Sequence, residues 1–95
     1  MRLVYPAIFT PFEGGDGYAV EFPDLPGCVT EGQDLVDAIF MATDAASGWV
    51  LTELEDGKEA QEASSISEVV VPEGSFVSLV ALDMDEYAKS YGKRS

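Results

Sequence analysis

Hydrophobic and polar residues alternate in the first part of the chain, which predicts two strands joined by a hairpin. The first strand spans Leu3 to Phe12 and carries apolar side chains on both faces, as a central strand does. The second strand, Tyr18 to Phe22, alternates strictly, so one face is buried and the other, with Glu21, is wet. Between them, residues 14–17 read Gly-Gly-Asp-Gly, which is a hairpin-turn signal.

Two prolines stiffen the segment that follows the second strand. Pro23 and Pro26 each fix φ and remove a backbone donor, so the strand ends here and the segment keeps one shape. Gly27 can turn where a residue with a Cβ would be strained. A third short strand is predicted from Cys28 to Thr30. So rigid a corner suits a surface that another protein recognises.

The pattern then changes to a helical period. Asp34 is a good N-cap, and the helix is predicted from Leu35 to about Leu54. The stripe expected to face the sheet consists of Leu35, Ile39, Ala42, Ala46, Trp49 and Val50. A second apolar stripe points away from the first and contains Val36, Phe40, Leu51 and Leu54. These side chains are covered either by the C-terminal half or by another chain, and we expect a contact between chains.

The C-terminal third predicts one more strand. Residues 53–62 are acidic and polar, and residues 65–68 have capping-box spacing for a short helical turn. Phe76 to Leu82 is a nearly continuous apolar run, typical of a buried strand, whereas residues 83–95 carry no core pattern. The predicted fold is α+β, in the order β-β-β-α-(α)-β: a mainly antiparallel sheet of three to four strands with one long helix packed on one face.

Composition places the chain among ordinary globular proteins. Its 95 residues, 46% of them hydrophobic, predict one domain with one core. The single cysteine, Cys28, cannot form an internal disulfide, which indicates a reducing compartment; the alternative is that the thiol is simply a packing residue. We see no signal peptide and no apolar run long enough to span a membrane, so we expect a cytoplasmic protein.

Charge is the unusual property of the chain. It has 18 acidic and 5 basic residues, a net charge of −13 and no histidine. Up to Ala88, two basic residues stand against the 18 acidic ones, a net charge of −16. A body this acidic is repelled by a phosphate backbone, so we expect residues 1–82 to bind no nucleic acid and to attract a basic partner instead. The alternative is that the acidity serves solubility alone.

The residue types argue against catalysis. Without histidine, Ser–His and Cys–His pairs are impossible within this chain, and no cationic residue lies near Cys28 in sequence to activate it. A metal-dependent nuclease is an alternative, with Glu21, Asp24, Glu31 and Asp34 as ligands. Such sites usually place an acidic residue within the central strand, which has none. We therefore expect a solvated acidic rim, no catalytic residue, no metal and no cofactor, in a protein that is not an enzyme.

The residues of the strands and the corner resemble the HicB antitoxin family. The matching segments are Tyr5-Pro6-Ala7-Ile8, Gly17 to Cys28 and Thr30-Glu31-Gly32. The resemblance implies a partial ribonuclease-H-like fold without nuclease function, in a toxin-binding domain of residues 1–82. It also implies a partner, the HicA toxin, a small basic protein that cleaves messenger RNA. The antitoxin would neutralise this toxin by covering its active or RNA-binding surface.

The resemblance also implies where partners bind. The region expected to contact the toxin is the corner with the acids beside it, namely Phe22, Asp24, Leu25, Glu31 and Asp34. A homodimer or tetramer is expected as well, through Val36, Phe40 and Leu51. The alternative is a stand-alone oligomeric domain of this kind that has no toxin.

The last segment, residues 83–95, differs in charge from the rest of the chain. Lys89, Lys93 and Arg94 crowd its end, where members of the family often continue into a DNA-binding module that represses their own operon. We expect this basic tail to be the start of such a module, and operator DNA to be bound only where the module is present. The alternative is a naturally short protein.

Overall fold

The computed structural model describes residues 1–91 and contains one four-stranded sheet with a long helix against one face. The elements are β1 (Arg2–Pro11), β2 (Tyr18–Glu21), β3 (Val29–Gly32), α1 (Leu35–Glu55), a 3-10 turn (Ile66–Glu68), β4 (Phe76–Asp83) and α2 (Met84–Tyr91). All pairings are antiparallel, and the strand order β3-β2-β1-β4 makes β1 a central strand. The predicted α+β class and the central position of the first strand are confirmed.

The core lies between α1 and the inner face of the sheet. Tyr5, Ala7 and Phe9 of β1 are at most 1% exposed and belong to this core. The helix faces them mainly with alanines, and Ala42 and Ala46 are fully buried. Because these side chains are small, the helix backbone can approach the sheet closely.

The start of α1 buries a residue that the sequence did not place in the inward stripe. Ala38 is fully buried, whereas Leu35 and Ile39, predicted to face the sheet, are 40% and 45% exposed. The cause is the close approach of β3 to the start of the helix. A Cβ on Gly32 would overlap the backbone of Ala38, which leaves no room for a larger inward side chain there.

The last strand, β4, is an edge strand, and the prediction of a buried strand was wrong. It pairs with β1 alone, and its Phe76 and Leu79 are 39% and 54% exposed. Val80 and Leu82 alone are buried in it. A continuous apolar run does not distinguish a strand covered on both faces from an edge strand that is covered on one.

The segment after β4 joins the core, which the sequence pattern did not predict. Met84, the first residue of α2, is 4% exposed, and Tyr87 packs against the core cluster. A Cβ on Gly48 of α1 would lie 3.0 Å from the Tyr87 hydroxyl, so this glycine marks the crossing of the two helices. Met84 and Tyr87 stand in an otherwise polar segment, and two apolar residues are too few to show a helical period in the sequence.

The start of the chain and the start of α2 are joined by two contacts. The Met84 N–H donates to the Met1 carbonyl at 2.9 Å, and the Met1 ammonium pairs with the Asp85 carboxylate at 2.8 Å. Hydrogen bonding to this ammonium, together with its charge, lowers the pKa of Asp85. Met84 and Tyr87, beyond residue 82, therefore pack on the same core as the sheet.

Helix α1 satisfies the length and composition of a membrane-spanning helix, which we had expected no segment to do. It is 21 residues long and is the one helix of this kind in residues 1–91. The core helix of a soluble protein passes the same test, and α1 has one face packed on the sheet. We therefore treat it as the core helix.

Candidate protein-binding surface

The corner between β2 and β3 is rigid because three backbone hydrogen bonds close it. The Phe22 N–H donates to the Cys28 carbonyl at 3.1 Å, and the Cys28 N–H donates to the Leu25 carbonyl at 2.9 Å. The Leu25 N–H donates in turn to the Phe22 carbonyl at 3.1 Å. Gly27 has a φ of 81°, in the left-handed region that favours glycine. The Trp49 indole N–H of α1 donates to the Pro26 carbonyl at 3.0 Å and fixes the corner to the helix.

Two of the five residues expected to contact a partner lie inside this corner. Phe22 is 3% exposed and Leu25 is fully buried, and both belong to the core cluster. Their side chains anchor the corner from within, so they position its surface and do not form it. A direct contact through either side chain would require the corner to open.

Asp24 faces another part of the same chain. Its two carboxylate oxygens accept hydrogen bonds from the Ser64 N–H at 2.9 Å and from the Ser64 hydroxyl at 2.6 Å. Nearby, the Tyr5 hydroxyl donates to the Gln61 carbonyl at 2.6 Å. Burial and the negative charge of Asp24 raise the pKa of Tyr5. These bonds fasten the segment after α1 against the corner, over a separation of 40 residues for Asp24 and Ser64.

The remaining two predicted residues, Glu31 and Asp34, are exposed. Asp34 is the N-cap of α1, as predicted, and its carboxylate accepts from the Asp37 N–H at 2.8 Å. Asp37 in turn accepts from the Gln33 N–H at 2.9 Å. The start of the helix is thus a fixed acidic surface, and Glu31 and Asp37 line a groove of about 670 Å³ beside it.

Within residues 1–91, each basic side chain pairs with a carboxylate away from this acidic surface. Arg2 lies 3.8 Å from Asp83, Lys58 lies 3.4 Å from Glu53, and Lys89 lies 3.8 Å from Glu86. The corner and the helix start therefore present carboxylates without neighbouring cations. Lys93 and Arg94 of the predicted basic tail lie outside the described residues.

The second apolar stripe of α1 divides into two parts. Val36 and Phe40 are 66% and 71% exposed. Leu51 and Leu54 pack against the core cluster, which is the intramolecular alternative that the sequence left open for them. With Leu35 and Ile39, the two exposed residues form an apolar patch on the first half of the helix, whereas Met41 lines the groove beside Glu31 and Asp37.

The described residues bring no cluster of metal ligands together. Among residues 1–91, no three Asp, Glu, His or Cys side chains gather as metal ligands, so the four carboxylates considered for a nuclease do not converge. Cys28 is buried, and burial raises the pKa of its thiol. A thiol of this kind is a packing residue and a poor nucleophile.

The outer face of the sheet was not recognised from the sequence. Ile8 of the first predicted strand and Val29 of the third flank Glu21 on this face, because directly paired antiparallel residues share a face. The strict alternation around Glu21 was the one available signal, since it placed Glu21 on the side away from the core.

Comparison with known proteins shows which family the chain is similar to. Residues 5–93 match the family model described as the HicB-like antitoxin of bacterial toxin–antitoxin systems. A protein of Haemophilus phage HP1, described as an uncharacterized 14.9 kDa protein of the rep–hol intergenic region, is 34% identical over 71 residues. That match covers 74% of this chain and 53% of the phage protein, so the chain spans about half the length of this curated relative.

Two solved structures share the fold. The N-terminal domain of the Burkholderia pseudomallei antitoxin HicB superposes with a TM-score of 0.74 at 29% identity, over 85% of this chain and 99% of that domain. A chain of a toxin–antitoxin complex from Streptococcus pneumoniae gives a TM-score of 0.82 at 24% identity, over 92% of this chain and 73% of that chain. The second likeness concerns the fold alone.

Proposed function

The chain belongs to the HicB-like antitoxin family, and from that premise we propose that it binds and neutralises a small basic toxin of the HicA type. The antitoxin covers the active or RNA-binding surface of the toxin, so that messenger RNA no longer reaches it. Residues 1–82 supply the binding surface in this proposal, supported by the part of α2 that packs on them.

The distribution of charge is the observation that supports this proposal most directly. The chain carries a net charge of −13, and the three basic side chains of residues 1–91 all pair with carboxylates away from the corner and the helix start. A protein that binds RNA presents a basic face to it. An acidic body is attracted to the same face and associates with it quickly, at a rate that falls as salt screens the charges.

An RNA-cleavage assay tests the proposal. The chain is titrated into a fixed amount of the small basic protein encoded beside it, with a messenger RNA as substrate. We expect cleavage to fall to background near a stoichiometric ratio, and an unrelated acidic protein of similar net charge to leave it unchanged. Cleavage that persists when the chain is in excess would show that the chain does not neutralise this protein.

We also propose that the chain acts by binding alone and works in the cytoplasm. The absence of histidine, the buried Cys28 thiol and the dispersed carboxylates of residues 1–91 support a non-enzymatic role. A single cysteine and a messenger-RNA-cleaving partner fit a reducing compartment. RNA incubated with the purified chain and Mg²⁺ or Mn²⁺ should therefore remain intact.

A second copy of the chain is the occupant we propose for the exposed apolar patch of α1. Val36 and Phe40 dominate this patch, at 66% and 71% exposed. Two acidic bodies repel each other over most of their surface, so they associate most easily where apolar side chains replace charges. Such a patch can face its own copy across a two-fold axis.

Operator DNA is proposed as a partner only where a DNA-binding module accompanies this body. The net charge of −16 up to Ala88 opposes contact with a phosphate backbone. Lys89, the described member of the basic cluster, pairs with Glu86 of α2. Repression of its own operon would then depend on residues beyond those that bind the toxin.

A further inference from the structure

The outer face of the sheet, opposite α1, carries two rows of residues across its three first strands. Ile8, Glu21 and Val29 are direct partners in one row. Thr10, Ala19 and Glu31 are direct partners in the next row. We call the surface between these rows the outer-face groove, lined by Ile8, Thr10, Ala19, Glu21, Val29 and Glu31. Its volume is about 420 Å³.

The groove is open because the cover of the outer face is incomplete. Residues 64–70 lie beside Ile8 and Glu21, with which several of them line a separate cavity. They help to bury Ile8, which is 5% exposed, but they do not extend over β3. Val29 on that strand is 66% exposed. Because β3 is the edge of the sheet, no further strand obstructs access to Val29.

The groove combines an apolar floor with two carboxylates. Glu21 and Glu31 are exposed on neighbouring strands, and no basic side chain of residues 1–91 lines the groove with them. A lysine or arginine side chain matches this arrangement, because its aliphatic stem covers apolar surface while its charged end pairs with carboxylates. A second copy of this acidic chain fits it poorly, since its own carboxylates would be repelled.

We propose that the basic partner inserts a lysine or arginine side chain into the outer-face groove. Glu21 and Glu31 pair with the cation, and Val29 packs against its aliphatic stem. This inference deepens the proposed function and rests on it for the identity of the partner. It places the contact on the outer face of the sheet, away from the corner side chains that are buried in the core.

The first arm of the test needs no toxin. A heptapeptide of alternating lysine and valine is titrated into the ¹⁵N-labelled chain, and amide shifts are followed by NMR. We expect the shifts to concentrate at Ala19 to Glu21 and Val29 to Glu31. The acidic loop of residues 56–62 is the internal comparison, since unspecific attraction would move it as strongly. Equal shifts in the loop and the groove would overturn the proposal.

The second arm uses paired substitutions and the toxin of the RNA-cleavage assay. The double variant E21Q/E31Q should weaken binding by about tenfold or more, because it removes both carboxylates that pair with the cation. The control E59Q/E62Q removes the same charge from two exposed carboxylates of the loop and should change affinity by less than about threefold. Equal weakening by both double variants would contradict a contact in the groove.

A matched pair of apolar substitutions adds a test that charge alone does not affect. V29S should weaken toxin binding, whereas V4S, at a side chain of β1 that is 46% exposed and does not line the groove, should not. Inhibition by the wild type with no effect of V29S or E21Q/E31Q would reject the groove and keep the proposed function. Peptide binding in the groove without inhibition of the toxin would keep the groove and reject the proposed function.

Discussion

At the scale of single residues, Asp24 determines where the chain lies after α1. Its two hydrogen bonds to Ser64 connect the corner to a segment that runs beside the outer-face groove. Tyr5 adds a third bond to this segment through Gln61. Both carboxylate oxygens of Asp24 already accept hydrogen bonds from Ser64. Asp24 therefore influences the binding of a partner indirectly, by holding this segment in place.

Removal of this carboxylate should loosen the segment without unfolding the sheet. Asp24→Ala is expected to lower the free energy of unfolding by about 1–3 kcal/mol, because the hydrogen bonds of a partly buried carboxylate are lost. Hydrogen exchange should quicken at residues 61–70, and Glu59→Ala should leave it unchanged. Exchange in this segment equal to that of the wild type would contradict the anchoring role.

The Cys28 thiol gives a pH-dependent prediction. Burial raises its pKa, so the folded chain retains the thiol proton to higher pH than the unfolded chain does. The free energy of unfolding should therefore fall as pH rises above 9.0, the ordinary value for the thiol. The pKa of Tyr5 is also raised, so its phenol adds a further fall in the free energy of unfolding above pH 10.0, the ordinary value for tyrosine.

The measurement is denaturant unfolding across this pH range, with Cys28→Ala as the control. In the variant, the free energy of unfolding should no longer fall from about pH 9.0, the ordinary thiol value, but should still fall at the higher pH where Tyr5 titrates. In the folded wild type, the thiol should also react slowly with iodoacetamide. Fast alkylation at neutral pH would show that Cys28 is accessible, against the buried position in the core.

At the scale of elements, the close approach of β3 and α1 depends on Gly32. Gly32→Ala should lower the free energy of unfolding by about 1–3 kcal/mol, because its Cβ would overlap the backbone of Ala38 and push the helix start from the sheet. Gly15→Ala is a matched control, since nothing lies within 4 Å of a Cβ there. A Gly32→Ala variant as stable as Gly15→Ala would contradict this packing.

The exposed patch of α1 gives a prediction about self-association. Light scattering should find the wild type larger than one chain, and Phe40→Asp should reduce it to the monomer because a charge replaces a side chain that is 71% exposed. Val70→Asp introduces the same charge at another exposed apolar position and should leave the mass unchanged. A mass that Phe40→Asp does not alter would place Phe40 outside the interface.

Local signals were sufficient for the order of the elements from β1 to β4, but not for α2. The N-cap at Asp34 and the glycine-rich turn at residues 14–17 located the helix start and the first hairpin. Which side chains of the first turn of α1 face the sheet was not predictable, because the approach of Gly32 to Ala38 depends on tertiary packing. The exposure of β4 followed from its edge position, which its apolar sequence does not reveal.

The candidate site was predictable in charge but not in detail. The acidity around Glu31 and Asp34 is a local property of the sequence and is found on the surface. The bond between Asp24 and Ser64 joins residues 40 positions apart, for which one sequence carries no signal. The burial of Leu25 likewise depends on how the corner docks on α1, so its position in a polar turn was misleading.

At the scale of the whole molecule, the two proposed surfaces lie on opposite sides. Helix α1 packs on the inner face of the sheet and turns its apolar patch outward, while the outer-face groove lies on the other side of the same sheet. A self-associated antitoxin would therefore keep its grooves open. Association between copies and neutralisation of a toxin can occur together in this arrangement.

The central claim is that an acidic antitoxin holds a basic toxin by complementary charge and so blocks its access to RNA. Its most direct test is the dissociation constant of the two proteins measured by calorimetry from about 0.05 to 0.5 M NaCl. The account predicts tight stoichiometric binding that weakens steadily as salt increases, in parallel with the return of RNA cleavage. Absence of binding at the lowest salt, or an affinity that salt does not change, would contradict it.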